Sequence, residues 1–356
     1  MFNVQRLELA RKRRRYTAKI LAEKAHVAPV TLSRIVNGVQ APDDETIDRL
    51  VVALAYPREF FFRDDIDPID PSTASFRSLK AMTARERDAA LAAGELAYEL
   101  ADWVREKFNL PKADLLDLSH EHDPATAART LRQRWAIGER PIGNMVKLLE
   151  TKGVRIFSLA ENTKNVDAFS CWRNDEPYVF LNTFKSTERG RFDAAHELGH
   201  LVLHKHGGAK QGRSAEHEAH LFAASFLMPR DDVLATIPFV RTLDQIVRAK
   251  VRWGVSVTAL AYRLHKLNLL TDWHYRTFCI RINQNYGTEE PNGLPPERSS
   301  VWQAILTELW KEGITKSHIA VQLGIPSDEM ENLLFGLTGD VRPLERSGER
   351  PALRSI

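Results

Sequence analysis

The chain has 356 residues, of which 43% are hydrophobic and 27% charged, and its content of Gly and Pro is ordinary for a globular protein. This length predicts two or three domains, and the composition argues against a fibrous or disordered chain. No apolar run approaches a membrane span, and the basic amino terminus lacks the apolar segment of a signal peptide, so we expect a cytoplasmic protein. Its two cysteines, Cys171 and Cys279, are too few for a disulfide framework or a thiolate-only metal site.

Basic residues are concentrated near the amino terminus, although the net charge is only +3. Nine Lys and Arg side chains and two Glu side chains lie between Val4 and Val39. A charge excess of this kind is either a solvated face or a surface that attracts a polyanion. The hydrophobic spacing over residues 4–56 predicts four or five short helices, and Pro29 and Gly38 are placed as the start and end of the third.

Residues 63–75, RDDIDPIDPSTAS, are rich in Pro, Asp and Ser and have no periodicity, which predicts a linker between two domains. Helical spacing resumes after it, and three short runs rich in β-branched and aromatic residues then predict a small sheet. The predicted helices are 83–108, 124–135, 142–151, 187–204 and 214–227, with further helices to about 270 and over 300–337, and the predicted strands are 153–159, 168–173 and 177–182. The order helix, sheet, helix is typical of a mainly α, α+β fold.

The sequence His-Glu-Leu-Gly-His at residues 196–200 is the strongest chemical signal in the chain. Residues four apart lie on one face of an α-helix, so His196 and His200 can direct their imidazole nitrogens at one metal ion. Glu197 then lies beside the ion, where a carboxylate can accept a proton from a water that the metal has made acidic. The alternative is a pair of surface histidines, but apolar residues on more than one side of this segment predict a buried helix.

A catalytic zinc ion usually has three protein ligands, so a third must come from another segment. The next predicted helix offers Glu216, His217, Glu218 and His220. At about 100° per residue, Glu216 lies nearest the apolar face of this helix and His217 lies farthest from it. Glu216 is therefore the candidate that we expect to face inward, with capping of its own helix as the alternative role.

The other polar residues near this motif have less specific expectations. We expect His217 and Glu218 to be solvated surface residues, whereas His220 is either at the surface or a hydrogen-bond partner of the ligands. His204 lies near a helix end, where a cation stabilises the helix dipole. His206 is expected in the loop that follows.

The segments RGRFDAAHELGHLVLH (189–204) and EHEAHLFAASFLMP (216–229) resemble the ImmA/IrrE metallopeptidases, and the resemblance extends over nearly the whole chain. It implies a zincin-like peptidase domain with one Zn²⁺ per chain, and it places the third zinc ligand at Glu216. His220 stands where the family usually has Asn, Asp or Gln, so it either supports the ligands or competes for the metal. Such peptidases are best known for cutting a partner repressor.

The segment TAKILAEKAHVAPVTLSRIVNG (17–38) resembles a helix-turn-helix of the λ-repressor (XRE) type, except that Ala18 stands where the family commonly has Gln. In this geometry the second helix enters the major groove of double-stranded DNA. The residues expected to face DNA are Pro29, Val30, Ser33, Arg34 and Asn37 on that helix, with Arg13, Arg14 and Lys19 as further cationic contacts. The alternative is a bundle used for protein contacts, and a homodimer is expected because such operators are commonly read by dimers.

Residues 314–337 again read as helix, turn, helix, but the second of these helices carries Asp328, Glu329 and Glu331 and no cation. Like charge repels phosphate, so we interpret this segment as a structural or protein-binding piece. The predicted organisation is a helix-turn-helix domain at 1–62, a linker at 63–75, a peptidase domain at 76–272 with a helical lead-in (76–150) and a catalytic core (151–272), and a small helical region at 273–356.

These features predict a DNA-binding transcriptional regulator fused to a zinc-dependent endopeptidase that cleaves a protein partner such as a repressor. In this hypothesis His196, His200 and Glu216 hold the metal, and Glu197 is the general base. We expect the substrate backbone to pair with a strand edge within residues 178–182. The alternatives are a non-catalytic regulator with a structural or sensory metal site, and an antitoxin-like interaction protein.

Overall fold

The computed structural model describes residues 1–71, 74–76, 83–159, 168–205, 212–287 and 289–339. These residues form sixteen α-helices and one small β-sheet, so the expected mainly α, α+β class is confirmed. No helix in these ranges is both long and apolar enough to cross a membrane.

Four short helices form the amino-terminal bundle, and they are α1 (Val4–Arg13), α2 (Ala18–Lys24), α3 (Pro29–Val36) and α4 (Asp44–Leu54). Three of them begin at a side chain that accepts a hydrogen bond from the first helical turn, namely Asn3, Thr17 and Asp43. The third helix begins with Pro29. Proline has no N–H group, and at the first position of a helix an N–H would have no acceptor within the helix. A buried apolar core joins the four helices through Leu7, Leu21, Leu32, Ile35 and Leu50.

The segment that the sequence identifies as a linker packs closely against the rest of the protein. Ile69 is buried, and its backbone N–H donates to Glu95. Arg6 donates to the carbonyl of Asp64 and forms a paired contact with the Glu99 carboxylate. The segment ends in a two-residue strand, β1 (Ser75–Phe76), which is too short for a hydrophobic alternation to reveal.

Twelve further helices follow β1 in the described residues. They begin with α5 (Ala84–Lys107), whose first turn is fixed by reciprocal hydrogen bonds between Thr83 and Glu86. The others are α6 (Pro124–Arg134), α7 (Met145–Thr151), α8 (Thr187–Leu203), α9 (Arg213–Leu227), α10 (Arg230–Thr236), α11 (Leu243–Trp253), α12 (Val257–Lys266), α13 (Asp272–Tyr286), α14 (Ser300–Lys311), α15 (Lys316–Leu323) and α16 (Ser327–Leu334).

The remaining strands of the sheet are β2 (Arg155–Ser158), β3 (Ala168–Arg173) and β4 (Glu176–Leu181), and the order across the sheet is β1-β3-β4-β2. The β3–β4 pair is an antiparallel hairpin, and its two-residue turn, Asn174 and Asp175, has positive φ at both positions. β2 runs parallel to β4, which requires a crossover.

The prediction that residues 178–182 offer a strand edge is wrong for residues 178–181, which belong to β4. Tyr178 pairs with Cys171 of β3 on one side and with Arg155 of β2 on the other, and the same double pairing continues to Leu181. The backbone groups of an interior strand are already used by its two neighbours, so β4 offers no edge to a substrate.

Candidate metal centre and nucleic-acid interface

The histidine motif lies on α8, which is enclosed along most of its length. β3 and β4 pack against one side of this helix, and α9 packs against another. His196 is 1% exposed, Glu197 is fully buried and His200 is 7% exposed. The buried helix predicted from its apolar surroundings is therefore observed, and the surface-histidine alternative does not hold.

A glycine allows α8 and α9 to approach closely at the site. A Cβ atom added at Gly199 would lie 3.2 Å from the Cα of Ala219 and 3.1 Å from a ring carbon of Phe222, both on α9. Residues 199 and 219 thus form a contact between backbones, which brings the first turn of α9 next to the histidines. Glu216 lies on that first turn.

Three side chains from these two helices converge on one point. His196 Nε2 lies 3.2 Å from Glu216 Oε2, His200 Nε2 lies 3.4 Å from Glu216 Oε1, and the two histidine Nε2 atoms are 3.1 Å apart. Tetrahedral zinc with bonds of about 2.0–2.1 Å separates its ligand atoms by about 3.3 Å. The spacing of the three donor atoms therefore fits such an ion.

The electrostatics of Glu216 reflect the two imidazoles. Burial alone raises the pKa of this carboxyl, but the hydrogen bonds and charges of His196 and His200 outweigh it and lower the pKa to about 2. Glu216 is therefore ionised at neutral pH, which is the form that ligates a cation. Its side chain is 26% exposed, so the cluster reaches solvent on the α9 side.

The sequence prediction missed Ser170, which contacts the carboxylate of Glu197. Ser170 lies on β3, is 2% exposed, and its Oγ donates to Glu197 Oε2 at 2.7 Å. A hydroxyl in a strand whose neighbours Phe169 and Cys171 are buried needs a polar partner, because an unsatisfied buried hydroxyl is costly. In the sequence, the available signal was a serine between Phe169 and Cys171 in a predicted strand, but this pattern does not identify the partner of the hydroxyl.

The residues behind His200 also differ from expectation. His204 Nδ1 lies 3.1 Å from His200 Nδ1, and His204 Nε2 lies 3.3 Å from Glu218 Oε2. The His204 and Glu218 side chains are 14% and 18% exposed, so Glu218 is not the solvated residue that we expected. A histidine and a carboxylate in this arrangement orient the ring of a metal-binding histidine.

His220 lies beside the site, outside the converging cluster. The group of donor atoms within 4.8 Å of one another in the described part of the chain consists of His196, His200 and Glu216. The ring of His220 packs between those of Phe192 and Tyr262, with centroid distances of 5.0 and 5.1 Å. His206 falls outside the described residues.

In the amino-terminal bundle, α3 presents the side chains that the sequence assigned to DNA. The exposed residues on and just after this helix include Pro29, Val30, Ser33, Arg34 and Asn37. Asn37 Nδ2 donates to the backbone carbonyl of Ser33 at 2.8 Å, which holds the amide along the helix end. Lys19 on α2 is 83% exposed and 4.0 Å from Glu23.

Arg13 and Arg14 are placed elsewhere. Arg13 Nε donates to Glu329 Oε2 at 2.7 Å, and these side chains are only 7% and 1% exposed. Arg14 Nη1 donates to Asp328 Oδ2 at 2.8 Å, and Tyr56 donates to Glu329 Oε1 at 3.1 Å. The acidic residues of α16 thus neutralise both arginines, so the phosphate contacts predicted for them do not fit the structure.

Comparison with known families agrees with this two-part organisation. Residues 7–61 match the model of the helix-turn-helix family, and residues 149–265 match that of the IrrE N-terminal-like domain. The chain therefore contains a segment that matches an XRE-type helix-turn-helix, followed by a segment that matches a metallopeptidase-like domain of the ImmA/IrrE family, in the order that the resemblance predicts. No curated protein matches the chain.

Proposed function

We propose that this protein is a transcriptional regulator whose second domain is a zinc-dependent endopeptidase acting on a protein partner such as a repressor. The observation that carries the proposal is the convergence of His196, His200 and Glu216 beside the buried carboxylate of Glu197. Two imidazoles and one carboxylate are a common ligand set of catalytic zinc, which leaves a fourth position for water.

The donor chemistry fits zinc better than harder cations. Magnesium and calcium prefer six or more oxygen ligands, whereas imidazole nitrogen is a typical ligand of zinc. His196, His200 and Glu216 would hold the ion, and the contact of His204 with His200 would orient one of the ligands. When bound, zinc supplies Lewis acidity that makes water acidic enough to lose a proton near neutral pH.

Glu197 is the proposed general base. It follows His196 directly on α8, so its carboxylate is carried by the same helical turn as the ligands. It accepts a proton from the attacking water and returns it to the leaving amine, which is the usual double role of such a carboxylate. The hydrogen bond from Ser170 fixes one of its oxygens and thereby the orientation of the group.

The amino-terminal domain would deliver this activity to DNA. The exposed face of α3 carries Ser33, Arg34 and Asn37, which can form hydrogen bonds to bases or phosphates. Arg34 is a cation on this face, and Lys19 on α2 supplies another. We propose a homodimer as the DNA-bound form, because two such helices are commonly needed to read two half-sites.

A specific observation also favours a second candidate function, in which the metal is structural or sensory and no peptide is cleaved. Glu197 has no exposed surface and His196 has almost none. A buried carboxylate beside a buried ligand is less accessible to a peptide than the open position of a catalytic site.

Replacement of the proposed base separates the two functions. Glu197→Gln should retain one zinc per chain but abolish cleavage. Cleavage is measured as new protein amino termini, which should appear in cells that express the wild type and be absent from cells that express Glu197→Gln. Glu308→Gln, at an exposed position on α14, is the matched control and should behave as the wild type. New amino termini that persist in the Glu197→Gln cells would exclude the peptidase and leave the regulator.

A further inference from the structure

A cavity of about 290 Å³ lies at the carboxy-terminal end of α9. Its lining comes from α6, α9, α10, α12 and the residues next to these helices, and it includes none of the three metal-cluster residues. The cluster residue Glu216 lies near the start of α9, about 16 Å along the helix axis from Leu227 at its end. The cavity is therefore separate from the candidate metal centre.

Two buried arginines form part of this cavity, and both donate to neutral acceptors. Arg132, which is 2% exposed, donates to the backbone carbonyls of Gly138, Arg140 and Phe226. Arg263, which is 7% exposed, donates through Nε to the carbonyl of Met228 at 3.0 Å and through Nη1 to the hydroxyl of Ser225 at 3.1 Å.

Neither guanidinium has a carboxylate partner within 4.0 Å in the part of the chain that the structure describes. Arginine is rarely buried to this degree unless it is paired, because a desolvated charge is costly. The α9 carbonyls at the negative end of the helix dipole compensate a fraction of the charge. The two arginines carry two full positive charges, and the carbonyls supply only a partial negative charge. The part of the cavity lined by the two arginines is therefore electropositive.

Arg263 also has donor capacity that its protein partners do not use. A guanidinium carries five N–H groups, and the bonds to Met228 and Ser225 involve only Nε and Nη1. Within the described ranges, no acceptor lies within hydrogen-bond distance of Nη2. Since Arg263 lines the cavity, this group is available to a molecule that enters it.

The rim of the cavity adds charges of both signs. Arg129 and Arg230 are exposed cations, whereas Asp123, Glu139 and Asp231 are exposed acids. Asp123 is engaged as the cap of α6, where its oxygens accept bonds from the first turn. Asp231 is 76% exposed, so water screens its charge far more than the protein interior screens the buried guanidinium groups.

Both buried arginines remain protonated at neutral pH. Burial, followed by the like charge of Arg230, lowers the pKa of Arg263 to about 10. Burial also lowers the pKa of Arg132 to about 10, against the opposing effect of Glu139 and Asp232. A lowered pKa means that the protonated guanidinium is destabilised, as is expected for a buried cation that lacks a counter-ion.

We propose that this cavity binds a small molecule through a phosphate group, which supplies the negative charge that the two buried arginines lack. The planar fork of a guanidinium matches phosphate oxygens and donates two parallel hydrogen bonds to them. The volume lies at the lower end of the range of ligand pockets, which suits inorganic phosphate or a small phosphate monoester. The site is independent of peptide hydrolysis and of DNA binding.

Calorimetric titration of the full-length protein with inorganic phosphate tests this proposal. Ionic strength is held constant with sodium chloride, and the titration is repeated after EDTA treatment, since phosphate also ligates metals. We expect saturable binding of one phosphate with a Kd of about 1 mM or tighter in both cases. Glycerol 3-phosphate binding more tightly than inorganic phosphate would identify an organic ligand, and the reverse order would identify the free ion.

Arg263→Gln should weaken phosphate binding about ten-fold or more, because charged hydrogen bonds are lost. Arg230→Gln changes a side chain that is 69% exposed, so it leaves the fold intact and should weaken binding by a smaller factor. If Arg263→Gln does not fold, the affinity of Arg230→Gln for phosphate therefore tests whether phosphate binds in this cavity. The matched control is Arg248→Gln on α11, at 79% exposure, and it should bind as the wild type does.

Four results would overturn the proposal. The first is that titration with phosphate gives the same heat as titration with chloride. In that case the two arginines would serve only to bind the carbonyls at the end of α9. The second is unchanged binding in both Arg263→Gln and Arg230→Gln. The third is loss of binding in Arg34→Ala, which would move the site to the DNA-binding face. Equal affinity for acetate would exclude the assignment to phosphate.

Discussion

The hydroxyl of Ser170 on β3 donates a hydrogen bond of 2.7 Å to the carboxylate of Glu197 on α8. Both residues are buried, so water does not compete for this contact. It joins the sheet to the helix that carries two residues of the candidate metal centre, and it fixes the carboxylate relative to His196. Ser170 is therefore a positioning residue for the proposed base, since it acts through Glu197.

Removing this hydroxyl should impair turnover without removing the metal. We expect Ser170→Ala to lower kcat about ten-fold or more while KM and zinc content stay close to the wild-type values, because one hydrogen bond to a charged group is lost. Ser158→Ala on β2 is the control, since Ser158 is equally buried but bonds to Thr183. Equal kcat values for the wild type and Ser170→Ala would contradict this role.

Mutations around the cluster should separate ligands from supporting residues. Glu216→Ala should lose most of its zinc, and Glu218→Ala should retain zinc with about 10- to 100-fold lower affinity, because Glu218 contacts His204, which in turn contacts His200. His220→Ala should keep wild-type affinity. Competition with a fluorescent chelator measures all three. Full zinc occupancy in Glu216→Ala, or loss of zinc in His220→Ala, would show that the ligand set is different.

The contact between α1 and α16 should contribute to stability. Glu329 is 1% exposed, and its carboxylate interacts with Arg13, Arg14 and Tyr56. Glu329→Ala removes a buried carboxylate that two arginines contact, so we expect the free energy of unfolding of this region to fall by about 3–5 kcal/mol. Glu331→Ala removes a carboxylate that is 59% exposed, and should cost less than about 1 kcal/mol. Urea unfolding that shows equal losses would argue against a buried network.

The two groups of arginines should differ in their effect on DNA binding. Arg34→Ala should weaken binding about 5- to 100-fold to a duplex that the wild type selects from a random pool, and should reduce the salt dependence, because an exposed cation at the groove is lost. Arg13→Ala should lower stability but leave the salt slope of the folded protein unchanged. Arg105→Ala is the control for net charge alone. Anisotropy titrations at several salt concentrations distinguish these outcomes, and a flatter slope for Arg13→Ala would restore its predicted phosphate contact.

Much of the architecture was accessible from local patterns. The periodicity of the helices and the β-branched runs predicted most elements, since both signals depend on neighbouring residues. The four-residue spacing of His196 and His200 similarly predicts a shared helix face. Glu216 was ranked first by its angle to the apolar face of α9, and it lies within 3.4 Å of both histidines in the structure.

The features that the sequence did not reveal depend on residues far apart in the chain. Arg13 pairs with a residue 316 positions later, and no local pattern distinguishes that pairing from a phosphate contact. The interior position of β4 depends on β2 lying beside it, which the strand pattern does not specify. The contact between His204 and Glu218 likewise requires the close approach of α8 and α9 at Gly199.

Metal analysis of the purified wild-type protein, combined with X-ray absorption at the zinc edge, tests the central claim most directly. We predict one zinc per chain, with two imidazole nitrogens and at least one carboxylate oxygen at about 2.0–2.1 Å. Protein that folds fully and carries no stoichiometric metal, or a zinc shell without two imidazoles, would contradict the assignment of His196, His200 and Glu216.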